Sequence, residues 1–72
     1  MEKFNLEKAK DGEPICTRSG EERIFIGYNS IMKSVGYPIE AFERFGLVSN
    51  DYDIDGYFIG KDNPCDEDLM MV

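Results

Sequence analysis

The 72-residue sequence contains no histidine and no tryptophan. Without histidine, a Ser-His-Asp triad, a histidine general base and a zinc site with histidine ligands are all excluded. Basic residues are also scarce, since eight Lys and Arg stand against fifteen Asp and Glu, for a net charge of −7. Nucleic-acid backbones are bound by clustered Lys and Arg, so this balance argues against nucleic acid as a partner.

Long apolar stretches are missing as well. No run approaches the roughly 20 apolar residues that cross a bilayer, and the first residues lack the basic and apolar regions of a signal peptide. The only two cysteines are Cys16 and Cys65. We therefore expect a cytoplasmic protein with reduced thiols and no membrane association.

The composition is that of a folded protein, with 42% hydrophobic and 12% aromatic residues. We expect one small domain over residues 1–72. So short a chain has little material for both a core and a catalytic pocket, so we expect no enzymatic activity and no cofactor. Small cores often gain stability from association, which makes a homodimer one expected state.

The negative charge is concentrated in the second half of the chain. Residues 1–36 hold six acidic and six basic side chains, whereas residues 37–72 hold nine acidic and two basic ones. We expect the carboxylates near two predicted loops to form one acidic face that meets a basic partner protein. The residues of this predicted face are Asp51, Asp53, Asp55, Asp66, Glu67 and Asp68.

Local patterns predict a short helix followed by strands. Asn5 suits a helix N-cap and Gly12 the position after the helix end. Strands are predicted over residues 15–18, 22–29, 47–53 and 69–72. In the second of these, Ile24, Ile26 and Tyr28 alternate with Phe25, so this strand has apolar side chains for both faces. Residues 30–36 read as a polar connector.

Two segments are less clear. Residues 37–46 fit either a two-turn helix, with Pro38 in its first turn, or an edge strand that begins after the proline. Asp55-Gly56 is a strong hairpin signal, which predicts a returning strand over residues 57–59. In this hairpin Asp51 and Asp53 would point outward and Ile54 inward.

One stretch has the spacing of a calcium-binding loop. Residues 51–62 read D-x-D-x-D-G with an acid at the twelfth position, as in an EF-hand, so Asp51, Asp53, Asp55 and Asp62 are candidate ligands. Against this, the twelfth residue is Asp rather than Glu, and no amphipathic helix follows. A hairpin with an acidic outer face is the competing interpretation.

A second alternative is a small-ligand site. Arg18 and Arg23 are the cations that could meet an anionic, nucleotide-type ligand, and Tyr28 offers an aromatic surface for a base. Such a protein would act by sequestering its ligand. The competing interpretation is that the aromatic residues belong to the core.

The opening residues resemble a group of small, mostly uncharacterised phage and prophage proteins. The shared pattern is F-[DN]-L-E-K-A-x-x-G-x-P-[VI]-x-T-R-x-G, here at residues 4–20, with later matches at Tyr37-Pro38-Ile39, Asp55-Gly56-Tyr57 and a terminal Asp68-Leu69-x-Met71. The resemblance implies a phage setting without a known activity. It favours strand over helix for residues 37–44 and hairpin over calcium loop.

These observations predict an α+β, mainly β fold, in which a short N-terminal helix packs on a small, strongly bent antiparallel sheet. The functional hypothesis is a non-catalytic phage accessory protein that binds a host or phage macromolecule, with inhibition of a host defence factor as one such role.

Overall fold

The computed structural model describes residues 1–43 and 47–72. These residues form one short α-helix, one 3₁₀ helix and the strands of an antiparallel sheet, which confirms the mainly β class. The elements are β1 (Glu2–Lys3), α1 (Leu6–Lys10), β2 (Ile15–Thr17), β3 (Glu22–Tyr28), the 3₁₀ helix (Met32–Val35), β4 (Ile39–Glu43), β5 (Val48–Tyr52) and β6 (Leu69–Met71).

The sheet has the strand order β1-β6-β2-β3-β4-β5, and each neighbouring pair is antiparallel. The last strand in the sequence, β6, therefore lies between β1 and β2. The seven-residue strand β3 links two ladders. Glu22 and Arg23 pair with β2, and Ile24, Phe25, Gly27 and Tyr28 pair with β4. A bulge between Phe25 and Gly27 interrupts the ladder with β4. The strong bend of the sheet stays a prediction.

Helix α1 forms where its capping residues predict it. The Lys8 amide donates a 3.1 Å hydrogen bond to the side chain of Asn5, the N-cap. Past the helix end, Gly12 has a φ of +90°, a conformation that glycine adopts without strain. Within the helix Ala9 is buried in the hydrophobic core, and Leu6 packs against that core.

The hydrophobic core draws on the helix and on strands from both ladders. Ile39 and Ala41 of β4 and Tyr52 of β5 are completely buried, and the register places Ile39 opposite Tyr52. The core cluster consists of Phe4, Ala9, Ile15, Ile39, Ala41, Tyr52, Leu69 and Met71. Alternation along β4 and β6 turns Ile39 and Ala41, and likewise Leu69 and Met71, to the core side of the sheet.

The second face of β3 is not covered by the described residues. Arg23 is buried and Phe25 is half-buried, but Ile24 and Ile26 are 44% and 52% exposed. Beyond the bulge, Tyr28 is opposite the buried Ile39 and is 39% exposed. The bulge also breaks the simple alternation that the sequence suggests, since Ile26 has no partner in the ladder with β4. This strand therefore presents apolar side chains at the surface.

The strand predicted over residues 57–59 is wrong. β5 ends at Tyr52, and the side chain of Asp53 accepts hydrogen bonds from the amides of Asp55 and Tyr57, both at 2.9 Å. Aspartate side chains that bond to nearby amides favour a turn over a ladder. Ile54, expected to point inward, is 48% exposed as a result.

The strand interpretation of the ambiguous segment is confirmed for Ile39–Glu43, which forms β4. The other interpretation of this segment, a two-turn helix, is therefore wrong over these residues. The remainder of that prediction, residues 44–46, lies outside the described residues.

No helix in the described part of the chain has the length and apolar character needed to span a membrane.

Gly56 joins the turn after β5 to the N-terminal segment. Its φ is +88°, and a Cβ added to it would lie 2.7 Å from the Cβ of Phe4. Both the backbone conformation and the close approach of a core side chain therefore require glycine here. Gly20 has nearly the same φ, +94°, but nothing within 4 Å of an added Cβ.

We predict that Gly56→Ala lowers the free energy of unfolding by about 2–4 kcal/mol, because left-handed strain adds to a clash in the core. Gly20→Ala isolates the strain and is expected to cost about 1–2 kcal/mol. Urea denaturation followed by circular dichroism measures both. Equal losses in the two variants would contradict the close packing of Gly56 on Phe4.

Candidate functional site

Asp68 is a buried carboxylate that joins segments distant in the sequence. It is 1% exposed, and both of its oxygens accept hydrogen bonds. The Phe58 amide bonds to Oδ1 at 2.9 Å, and the Cys65 amide and the Arg18 guanidinium bond to Oδ2 at 2.9 and 3.2 Å. The Cys65 thiol adds a longer contact of 3.5 Å. Asp68 thus fixes the loop of residues 57–68 against the end of β2.

These bonds explain the electrostatics of Asp68. Burial by itself raises the pKa of the carboxyl group, but the two amides, Arg18 and the thiol stabilise the charged form, and the net pKa is lowered from 3.8. Asp68 was expected on the acidic face. That placement is wrong, because the carboxylate is enclosed and already occupied by donors from the same chain.

Arg23 is the second buried charged side chain. Its guanidinium contacts Glu21 at 3.5 Å and Glu67 at 3.2 Å. Burial lowers the pKa of Arg23, but Tyr52 and nearby carboxylates outweigh that effect, so the pKa is raised. Burial raises the pKa of the Tyr52 hydroxyl despite the neighbouring guanidinium. Neither the Tyr52 hydroxyl nor Arg23 Nε has a well-formed hydrogen bond among the described residues.

The remaining predicted acidic residues lie at or near the surface. Asp51, Asp55 and Asp66 are exposed, and Asp53 and Glu67 are half-buried. Asp53 Oδ1 accepts hydrogen bonds from the amides of the turn that follows it, and Glu67 forms an ion pair with Arg23. The acidic face is therefore smaller than the sequence indicated.

Two acidic loops are held side by side. We define them as residues 53–57 and 61–68. The Gly56 carbonyl accepts a 2.8 Å hydrogen bond from the Leu69 amide, immediately after the second loop. Asp55, Asp62 and Asp66 are exposed on these loops, and Lys61 is the only basic residue in residues 47–72. The fold thus brings together charges that are separate in the sequence.

The candidate calcium ligands are not gathered into a site. Among residues 1–43 and 47–72, no group of three or more acidic or cysteine side chains is placed to hold a metal ion. Asp53 Oδ1 already accepts two amides, while Asp51 lies on β5. A calcium loop instead needs alternate side chains to converge on one point.

The candidate nucleotide ligands are also separated. Arg18 pairs with Asp68 and Arg23 with Glu21 and Glu67. Tyr28 is five residues beyond Arg23 on β3, roughly 16 Å away at about 3.3 Å per residue. It lines a cavity of about 280 Å³ together with Lys33, Gly36, Pro38, Asp53 and Ile54.

A larger groove lies between the end of α1 and β3. Its volume is about 640 Å³, within the range of roughly 300–1,000 Å³ usual for ligand pockets. The lining includes Ala9, Pro14, Ile24 and Phe25, together with the buried Arg23. The groove is mainly apolar, and the sequence carried no signal for it.

A comparison with protein-family models identifies the relatives of this chain. Residues 1–71 match the model of the family described as Haemophilus phage HP1 protein YO09. The chain belongs to this family. The match confirms the phage association expected from the opening residues. No curated protein and no solved structure is significantly similar to the chain.

We predict that Asp68→Asn destabilises the fold by about 3 kcal/mol at neutral pH, because Arg18 and two amides lose a charged acceptor. Asp66→Asn, an exposed neighbour, is expected to change stability little. Thermal or urea unfolding at pH 7 compares the two. Similar stability of both variants would contradict a central role for Asp68.

The same carboxylate predicts an acid dependence. Since the folded-state pKa lies below the unfolded value of 3.8, Asp68 stabilises the fold above that pH, and this contribution is lost as pH falls through the lower folded-state pKa. Unfolding measured below pH 4 should therefore show a shallower acid dependence for Asp68→Asn than for wild type. An identical slope would count against the ionised, hydrogen-bonded carboxylate.

Calcium is expected to leave the loop unchanged, because its candidate ligands do not converge. NMR spectra recorded during a calcium titration to millimolar concentration should show no saturable shifts at Asp51, Asp53 or Asp55. Saturable shifts at all three residues would revive the calcium interpretation.

Proposed function

We propose that this member of the phage HP1 YO09 family is a non-catalytic accessory protein that binds a basic surface of a host or phage protein through its two acidic loops. The supporting observation is the hydrogen-bonded alignment of these loops, which exposes Asp55, Asp62 and Asp66 on neighbouring segments. The protein acts in the cytoplasm of the host cell.

The chemistry of recognition is electrostatic. A cluster of carboxylates attracts Lys and Arg on the partner, speeds association and disfavours acidic competitors. The loops are fixed by Asp68 and by the Gly56–Leu69 hydrogen bond, so less ordering is needed on binding than for a disordered acidic tail. This favours a specific protein partner over general solubility.

The target class follows from the charge. Proteins that handle nucleic acid present basic surfaces to phosphate groups. An acidic protein that covers such a surface blocks it without any catalytic step. Inhibition of a host defence nuclease is the form of this activity that suits a phage protein.

Sequestration of a nucleotide-type ligand is a weaker candidate. Arg18 and Arg23 are engaged by Asp68, Glu21 and Glu67, and Tyr28 lies elsewhere on β3. A ligand phosphate at either arginine would have to displace a carboxylate of the protein.

We predict that the triple variant Asp55→Lys, Asp62→Lys, Asp66→Lys loses partner proteins captured from host lysate and quantified by mass spectrometry. The expected loss is tenfold or more, since each reversal replaces attraction by repulsion. Capture by the wild type should also weaken as salt rises, because exposed charges are screened.

The matched control is Glu2→Lys, Glu7→Lys, Asp11→Lys, in the neutral half of the chain. Each reversal adds two positive charges, so both triples raise the net charge of −7 equally. Retained capture by the control and loss by the loop variant would support the proposal. Equal loss in both would indicate a dependence on net charge alone, and retained capture by the loop variant would refute the acidic-loop interface.

A further inference from the structure

Strand β5 lies at one end of the sheet, and its outer edge is open. It pairs with β4 in unbroken register over Val48–Tyr52, and the strand order has no strand beyond it. Among residues 1–43 and 47–72, none pairs with the other side of this strand. An edge of this kind presents unpaired backbone groups, on which an extended segment of another protein can form a further strand.

The direction of the backbone groups on β4 follows from one hydrogen bond. The Asn29 amide donates to the Pro38 carbonyl at 2.6 Å, so the backbone of Pro38 faces β3. Alternate residues of an antiparallel strand face the same neighbour, which turns Glu40 toward β3 and Ile39 and Ala41 toward β5. The extra residue of the bulge belongs to β3, so the alternation along β4 is not broken.

The register carries this alternation to β5. Ala41 is opposite Asn50, so the backbone of Asn50 faces β4. Its neighbours Ser49 and Asp51 therefore direct their amides and carbonyls outward. On that side, neither residue forms a backbone hydrogen bond with any part of the chain that the structure describes. Both residues are exposed.

Two carboxylates lie opposite each other at this edge. The register pairs Glu40 of β4 with the exposed Asp51 of β5. Glu40 accepts a 2.8 Å hydrogen bond from the Asn29 side chain, but within the described ranges neither carboxylate forms an ion pair. Like charges directly opposite each other disfavour their own strand pair. A cation on a further strand, next to Asp51, relieves this repulsion.

The open edge ends at the first acidic loop, residues 53–57. The Asp53 amide, two residues after Asp51, donates to the Tyr57 carbonyl at 2.9 Å and so closes the turn there. Asp55 is exposed in this turn. A segment that pairs with Ser49 and Asp51 therefore meets negative charge both along the edge and at its end.

We infer that β5 binds an extended basic segment of another protein as an additional strand, which hydrogen-bonds to the backbone of Ser49 and Asp51. In such a pair a Lys or Arg opposite Asp51 has its Cβ about 4.5–5.5 Å from that of Asp51, within reach of an ion pair. A second copy of the chain fits less well, because it brings another Asp51 and a net charge of −7 to the same edge. The inference does not depend on the proposed function, since the edge and the two acidic loops can be changed separately.

Hydrogen exchange of the purified full chain, followed by NMR, tests the direction of the edge. We expect the Ser49 and Asp51 amides to exchange fast and the Asn50 amide slowly, because only Asn50 bonds to β4. A soluble peptide of alternating Lys and Thr should shift the Ser49 and Asp51 signals saturably. It should slow their exchange by about tenfold or more at saturation. The same peptide with Glu in place of Lys, or with every amide methylated, should do neither.

A proline at the edge tests the backbone pairing. Ser49→Pro removes an outward amide and no bond to β4, and proline is accepted on a strand edge whose amide faces solvent. We expect this variant to give the circular dichroism spectrum of the wild type and to bind the Lys–Thr peptide about tenfold or more weakly. Ser49→Ala keeps the amide and should bind the peptide as the wild type does.

A charge reversal tests the recognition of the basic side chains. Asp51→Lys should weaken binding of the Lys–Thr peptide by about tenfold or more and favour the Glu–Thr peptide. The matched control is Asp62→Lys, which makes the same change in net charge on the second acidic loop. At physiological salt it should weaken binding by less than about threefold, because distant exposed charges are screened.

Several results would overturn the inference. The Lys–Thr peptide could leave the Ser49 and Asp51 signals unchanged, or Ser49→Pro and the methylated peptide could bind undiminished. Equal weakening by Asp51→Lys and Asp62→Lys would reduce the binding to a general attraction of charges. Protection of the Ser49 and Asp51 amides that rises with protein concentration, without any peptide, would assign the edge to a second copy. None of these results bears on the capture test of the two acidic loops, so the two proposals fail separately.

Discussion

The carboxylate of Asp68 is the interaction on which the arrangement of the surface depends. It receives the amides of Phe58 and Cys65 and the guanidinium of Arg18, so one side chain holds the long second loop and the end of β2 together. A buried charge of this kind is tolerated only when its oxygens are fully occupied. The loop has little regular structure of its own, and these bonds take the place of a ladder.

Arg23 makes a second ionic contact to the same loop, through Glu67. Its ion pair with Glu67 lies one residue before Asp68, and its own strand forms the junction between the two ladders. The adjacent acids Glu67 and Asp68 are therefore bound to two arginines. Arg23 lies on β3, and Arg18 lies in the turn that joins β2 to β3. The neutral half of the chain supplies the cations that fix part of the acidic half, and the unpaired acids are left for the surface.

Features set by neighbouring residues could be predicted from the sequence. The cap of α1 at Asn5, the strand β3 and the strand β5 follow from local patterns, and the resemblance favoured the strand at Ile39–Glu43. Features set by distant contacts could not. Asp68 looks like any acid in an acidic loop, because its partner Arg18 is fifty residues away. The Asp55-Gly56 pair is a common sequence for a hairpin turn. The hydrogen bonds that Asp53 accepts from the amides of Asp55 and Tyr57 form a different turn, and no pattern in the sequence predicted them.

The position of β6 has a consequence for the order in which the molecule forms. This strand is the last in the sequence, yet it lies between β1 and β2 and pairs with both. β6 pairs with two strands from the other end of the chain, whereas β3, β4 and β5 pair with their neighbours in the sequence. Such long-range pairing slows folding. One side of the sheet therefore rests on contacts between sequence neighbours, and the other side forms only when the two ends of the described chain meet.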